Sequence, residues 1–372
     1  MVSKSSYIKL AASLLAGVVV AQTPAATPED HPPLPTWKCT NSGGCVQQNT
    51  SVVLDWDFRN VHATGGAASC KSGTKLSQSQ CPDAGTCAKN CVAEPADYAA
   101  SGVSTSGNAV TMYHYVKVGG KLTSASPRIY LLNSDGKYVM MNLLNQELSV
   151  DVDLSTLPCG ENGAFYLSEM VADGSKNPAQ FNAGGAGMGN GYCDAQCQGY
   201  CCNEMDILEA NSMANAFTGH PCKGNNCDKN GCGYNPYASN QRNFWGPGKT
   251  LDTSKPFTAI TQFPASGGRL SQITRKYIQN GRTITSGSLN SCGSEGSTGG
   301  MTGMGQALGR GMVLAMSIWN DAAQNMAWLD SGTNGPCASG QGSPSNIQSQ
   351  HPDTHVIFSN IRWGDIGSTT KG

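Results

Sequence analysis

Charge is scarce in this 372-residue sequence: only 13% of residues are Asp, Glu, Lys or Arg, and the formal net charge is −1. That composition offers no basic footprint for nucleic acid and no polybasic patch for an anionic membrane, so the expected partner is neutral. Long apolar runs are missing too. The run at 10–21 is too short to span a bilayer comfortably, and nothing later reaches ~18 uninterrupted apolar residues, which argues against a membrane protein. Extended helical periodicity is equally rare. In its place are 46 glycines and 18 prolines, the material of turns and long loops.

What is present begins with an export signal. Lys4 and Lys9 lead into the apolar run, and Val19-Val20-Ala21 supplies small residues for cleavage, so 1–21 reads as a signal peptide and the secreted, extracellular product starts near Gln22. The remaining 22–372 shows no interdomain linker and no Pro/Ser/Thr tether or appended module. One domain is expected. All 16 cysteines follow the signal, the pattern of disulfides in an exported chain. Metal ligation is the competing reading, because Cys193, Cys197, Cys201, Cys202, Cys222, Cys227 and Cys232 are clustered. Export, the adjacent pair Cys201-Cys202 and the shortage of nearby histidines favour disulfides, and no metal or cofactor is expected. Asn49-Thr50-Ser51 is a glycosylation sequon suited to a surface loop.

Segments rich in β-branched and aromatic residues recur at 51–58, 111–118, 128–132, 138–141, 147–153, 164–167, 257–263, 270–278 and 354–363. Leu148, Val150 and Val152 alternate with Ser149, Asp151 and Asp153, which predicts one buried and one wet face. Asn280-Gly281 between apolar pairs predicts a hairpin, and the almost wholly apolar 312–319 a central strand. Only short helices are expected, one of them near 305–309. The glycine-rich stretches 184–191 and 293–305 read as loops. Strands spread over the whole length without a βαβ rhythm predict an all-β jelly-roll sandwich of two antiparallel sheets.

The candidate chemistry lies in Glu204-Met205-Asp206-Ile207-Leu208-Glu209. On a strand Glu204 and Asp206 share a face, but Glu209, five residues on, points the other way and lies roughly 16 Å from Glu204. A helix separates the two glutamates by about 140°. Only a bulge near Ile207-Leu208 returns Glu209 to the acidic face. Three converging carboxylates cannot all ionise freely, so one stays protonated while another is anionic. Retaining glycoside hydrolysis uses that division, with carboxyl groups about 5 to 5.5 Å apart: Glu204 as nucleophile, Glu209 as general acid/base, Asp206 orienting Glu204. The bland reading of such a pattern is a solvated strand edge.

The segment Glu204 to Asn211, followed by His220-Pro221-Cys222, resembles the signature of glycoside hydrolase family 7, the fungal cellulases. The likeness runs from His31-Pro32-Pro33-Leu34 through Cys159-Gly160-Glu161-Asn162-Gly163-Ala164 and Gly191-Tyr192-Cys193-Asp194-Ala195-Gln196-Cys197 to Phe358-Ser359-Asn360-Ile361. The resemblance implies the same roles for the three acids and a place for His220 beside the acid/base on the leaving-group side. It also implies sugar-binding positions at Asp194, Gln196, Tyr166, Arg128, Asn162, Trp319 and Trp328, the tryptophans as platforms for sugar C–H faces. It implies disulfides 39–45, 70–91, 81–87, 159–337, 193–202, 197–201, 222–227 and 232–292, which use every cysteine.

Processive members of that family enclose their substrate in a tunnel of long loops. Here the connections 197–201, 222–227 and 328–337 are short, and positions matched to a tunnel-entrance tryptophan and to charged product sites are Asn60, Asn230, Gly233 and Asn334. An open cleft and endo-acting hydrolysis of β-1,4-glucan by a monomer are therefore expected. The alternatives are a processive cellobiohydrolase of the same family and, in a different class, a non-catalytic jelly-roll carbohydrate-binding protein. A structural secreted protein is a further alternative. A neutral glucan gives a lectin little reason to bury three acids.

Overall fold

A computed structural model describes residues 29–73, 75–176 and 184–371. The expected signal peptide at 1–21 and the start near Gln22 lie outside them.

Among the described residues, seventeen strands build two large sheets. In chain order they are β1 (Thr36–Thr40), β2 (Gly44–Gln48), β3 (Ser51–Leu54), β4 (Val103–Ser106), β5 (Ala109–Tyr113), β6 (Arg128–Leu132), β7 (Met140–Met141), β8 (Gln146–Asp153) and β9 (Glu161–Ser168). They continue as β10 (Glu204–Ala210), β11 (Asn215–His220), β12 (Cys232–Tyr234), β13 (Phe257–Gln262), β14 (Ile273–Gln279), β15 (Arg282–Leu289), β16 (Met312–Asn320) and β17 (His355–Asp365). One sheet runs β2-β1-β17-β8-β13-β14-β15, with β5 on β17 and β4 on β5; the other runs β12-β11-β10-β9-β16-β6-β3, with β7 on β16. The all-β jelly-roll sandwich expected from the strand pattern is the architecture found. Almost every pairing is antiparallel. Within these two sheets, the exception among the described residues is β1 with β17, a parallel pair in which Trp37 faces Arg362.

The main core lies between the sheets, where Leu148, Val150 and Val152 of β8 meet Phe165, Ile207, Leu208, Leu314 and Met316 from the opposite sheet. Asp151 and Asp153 stay half-buried on the other side of β8, but Ser149 does not: it is buried, at a register shift between β8 and β17. The tight turn Asn280-Gly281 joins β14 to β15 with both residues at positive φ, the geometry that lets strands keep their twist across two residues. Strand β16 is central and fully buried over its first seven residues.

Several expected strands are shorter than their propensity suggests. Segment 51–58 ends at Leu54, where Asp55 caps a 3₁₀ turn, Trp56–Phe58. Segment 111–118 divides at His114 into β5 and a separate hairpin, Tyr115–Val118 with Lys121–Ser124. Of 138–141 only Met140–Met141 is strand, and 270–278 begins at Ile273 because Leu270 belongs to a small hairpin. The helix expected at 305–309 is eleven residues long, Gly300–Arg310, and absorbs part of the glycine-rich stretch. Met301, Met304 and Leu308 are its buried side, an i, i+3, i+7 stripe that the intervening glycines obscure.

All eight disulfides implied by the family likeness are formed, and no free cysteine remains. Asn49 is exposed in the connection between β2 and β3.

Candidate active site

The acidic segment is β10, an inner strand of the eight-stranded sheet. Its pairing with β9 skips a residue: Phe165 faces Leu208, but Tyr166 faces Asp206. Its pairing with β11 skips as well, with Asp206 opposite Thr218 and Glu209 opposite Ala216. Ile207 and Leu208 form the bulge that the spacing demanded. Both side chains enter the main core, next to Met205, so Glu204, Asp206 and Glu209 all emerge on the other face. Two buried aliphatic side chains contribute roughly 3–6 kcal/mol together. A regular register would expose one of them and bury Glu209, so packing favours the bulge decisively.

The cross-strand partners fix the rows of that face. Glu204 lies between Ser168 and His220, Asp206 between Tyr166 and Thr218, and Glu209 between Ala164 and Ala216. One Glu204 Oε2 lone pair accepts the Ala195 amide at 2.9 Å. Asp206 Oδ2 lies 3.0 Å from His220 Nε2. The other ring nitrogen, Nδ1, donates to the Asp228 carbonyl at 2.8 Å, which assigns the proton there and turns Nε2 toward Asp206. Gly231 closes this arrangement: at φ +70° it lies so near the imidazole that a Cβ would be 2.5 Å from Cε1. Glu209 Oε1 accepts the Asn162 amide at 3.0 Å, while Asn162 Oδ1 accepts the Ala210 amide at 3.1 Å.

Electrostatics follow from crowding. Burial, then the neighbouring Asp206, pushes the Glu209 carboxyl up to about 8, against the pull of His220 and of the Asn162 amide. Burial and Asp206 also raise Glu204, and the Ala195 amide and His220 oppose the shift. Burial lowers His220, but the hydrogen bond and charge of Asp206 outweigh it and hold the imidazolium to about 10. These groups titrate as a unit: the cluster retains protons at neutral pH that isolated carboxylates would lose.

The other expected positions divide into floor and surface. Asp194 is buried; its carboxylate caps the loop by accepting the Gln198 amide at 2.8 Å, and burial raises its pKa. Gln196 is exposed, its amide bonded to the Lys229 carbonyl at 2.7 Å. Tyr166 is buried with its hydroxyl 3.1 Å from that of Tyr192. Arg128 is only 8% exposed: Nε donates to Asp55 at 3.0 Å, and the guanidinium stacks on Tyr192 at 3.4 Å. Asn162 is wholly buried, its amide occupied by Glu209 and Ala210. Trp319 and Trp328 are half-buried and stacked, ring centroids 6.1 Å apart. Both remain accessible, although Trp319 ends a very apolar strand. Asn60 and Asn230 are exposed.

Three supports escape sequence reasoning: the Ala195 amide, the Asp228 carbonyl and Tyr192 beneath Arg128. The first two are main-chain atoms and leave no residue-type signal. As for metal, the cysteine groups of suitable proximity are all tied in disulfides among the described residues, so their sulfurs are not thiolate donors.

The model for "Glycosyl hydrolase family 7" matches residues 23–199, 198–298 and 290–370. "Endoglucanase EG-1" of Hypocrea jecorina is 55% identical over 382 residues, covering 96% of this chain and 83% of that protein. "Probable endo-beta-1,4-glucanase celB" of Aspergillus clavatus is 48% identical, covering 95% of each. A solved structure, "Endoglucanase I complexed with cellobiose", superposes with a TM-score of 0.86 at 38% identity, over 94% of this chain and 100% of that one. With the family model spanning nearly the whole sequence, the chain belongs to glycosyl hydrolase family 7.

Proposed function

We propose that this chain is an endo-β-1,4-glucanase that hydrolyses internal bonds of cellulose and related β-glucans with retention of anomeric configuration. The observation that carries the reading is the bulge at Ile207-Leu208, which brings Glu204, Asp206 and Glu209 onto one face. Glu204 attacks the anomeric carbon as Glu209 gives its proton to the leaving oxygen; Glu209 then takes a proton from water, which displaces Glu204 from the sugar. The Ala195 amide favours the anion at Glu204. Asn162 occupies one oxygen of Glu209 and leaves the other to carry the proton. The His220 imidazolium compensates Asp206, which in turn orients Glu204.

Sugar rings would stack on Trp319 and Trp328, with Asp194, Gln196, Arg128 and Tyr166 forming or bracing the cleft floor. The connections 197–201 and 222–227 are each pinned at their base by a disulfide and add little wall, which supports an open cleft. Residues 22–372 form one catalytic domain in this reading, since both sheets draw strands from across the described length. Eight disulfides accord with export to an oxidising, extracellular compartment, and the enzyme acts as a monomer on a polysaccharide.

The deciding experiment follows viscosity and reducing ends together on carboxymethylcellulose, mixed-linkage glucan, xyloglucan and xylan. Rapid viscosity loss per bond cut on the β-1,4-glucans is expected; slow release of cellobiose with viscosity preserved would mean an exo-enzyme, and no release would leave a binding protein. Asn162→Ala is expected to lower kcat on carboxymethylcellulose by about 10- to 100-fold with KM little changed, because Glu209 loses its orienting amide. A rise in KM alone would place Asn162 in sugar binding.

A further inference from the structure

Arg275 is fully buried, and among the described residues no carboxylate lies within ion-pair distance of it. A buried cation without an opposite charge is among the costliest arrangements in a protein interior, so its retention asks for a reason. The side chain starts on β14, in the nine-stranded sheet, where the alternation Ile273, Arg275, Tyr277 points into the sandwich. From there the guanidinium crosses the core to the opposite sheet. Its Nη2 donates to the carbonyl of Ile207, the first residue of the bulge. Nε donates to Thr261 Oγ1 at 3.0 Å and Nη1 to the Tyr277 hydroxyl at 3.3 Å.

The placement coincides with the irregularity on both strands. Asp206 faces Thr218 and Glu209 faces Ala216, so Phe217 is the single residue opposite the bulged pair. The guanidinium carbon lies 4.9 Å from the centre of the Phe217 ring. Tyr277 passes the contact on, its hydroxyl donating to Asn215 Oδ1 at 3.1 Å, and Asn215 pairs with Ala210 just past Glu209. A bulge leaves main-chain groups outside the ladder, and an unpartnered buried carbonyl opposes it. Arg275 supplies the donor.

We propose that Arg275 is the positioning residue of the acid/base: reaching across from the opposite sheet, it holds the Ile207 carbonyl and so keeps the bulge that turns Glu209 onto the acidic face. The inference rests on the reading of Glu209 as acid/base. Arg275 itself touches no substrate. Its loss is therefore felt as a misplaced proton donor, and a misplacement of about 1 Å can cost about 100-fold in rate.

The test compares Arg275→Met, Arg275→Lys and Tyr277→Phe with the parent enzyme on carboxymethylcellulose and on an aryl cellobioside with a dinitrophenolate leaving group, which departs without a proton. For Arg275→Met, kcat/KM is expected to fall about 100-fold on the polymer and less than about 5-fold on the activated glycoside, with Arg275→Lys recovering part of the loss. Equal losses on both substrates, or a polymer rate within about 3-fold of the parent, would overturn the proposal. Should Arg275→Met not fold, Tyr277→Phe decides. A loss of about 5-fold or more confined to the polymer upholds the inference, and any smaller or unselective loss defeats it. Glu209→Gln run alongside separates the two readings: if it keeps full activity on the polymer, the acid/base assignment itself fails.

Discussion

Glu204→Gln is expected to lower kcat/KM on carboxymethylcellulose by at least about 10⁴-fold while leaving the protein folded, with a melting temperature equal to or slightly above that of the parent. The amide is isosteric and still accepts the Ala195 N–H, but it cannot form the glycosyl ester, and no second pathway of comparable rate is available. Stability should not suffer, because the substitution removes one of three crowded acids whose repulsion and burial raise Glu204 in the first place. Reducing-end release measured beside a thermal melt checks both halves, and hydrolysis that survives would remove Glu204 from the mechanism. The parent's pH profile is expected to carry a matching signature. With Glu209 held to about 8, the acid form should persist through neutrality, and activity is expected to decline as pH rises through that range. The same shift contributes to folding stability below about 4.5, where both states are protonated, and that contribution fades as pH climbs toward 8.

Removing the Cys159–Cys337 bridge by a double change to alanine is expected to cost about 5 kcal/mol of stability and roughly 10 °C in melting temperature. Its sequence separation is 178, the longest of the eight. The Cys232–Cys292 bridge inside it short-circuits 60 residues, but loop entropy grows only with the logarithm of length, so most of the effect survives. The bridge also has a local task. Cys337 donates its amide to the Asp330 carbonyl at 2.9 Å, and the buried Asp330 carboxylate accepts the Gly160 amide at 2.7 Å and the Asn211 side chain at 2.8 Å. Trp328, two residues earlier, is thereby tied to the strand carrying Asn162 and to the end of the strand carrying Glu209. Losses of binding on long substrates should accompany the drop in melting temperature. A melt within about 2 °C of the parent would mean the unfolded chain gains little freedom from the cut.

Local patterns carried much of this molecule. Alternation located β8, the Asn280-Gly281 pair located a hairpin, and the five-residue spacing of Glu204 and Glu209 required a bulge at the place where one exists. The disulfides came from family likeness alone, since sixteen cysteines do not declare their partners. Non-local features stayed hidden. Nothing near Trp37 says that it pairs with Arg362 in parallel. Arg275 sits beside Lys276 and reads as surface charge; only its two-residue spacing from Ile273 and Tyr277 hints that it faces inward. Asn162 has the chemistry of a sugar contact, and its engagement with Glu209 depends on the neighbouring strand being within reach.

The pairing of β1 with β17 also has a kinetic meaning. A strand at residues 36–40 cannot take its place until residues 362–364 have been made, so that edge of the larger sheet must wait for nearly all of the chain. Such high contact order belongs to slow folders. During that wait sixteen thiols are free to exchange partners, and oxidation has to be reversible for long enough that the 178-residue connection closes on the right pair. Yield in a heterologous host should accordingly respond more to disulfide isomerase supply than to changes in the sequence of the cleft.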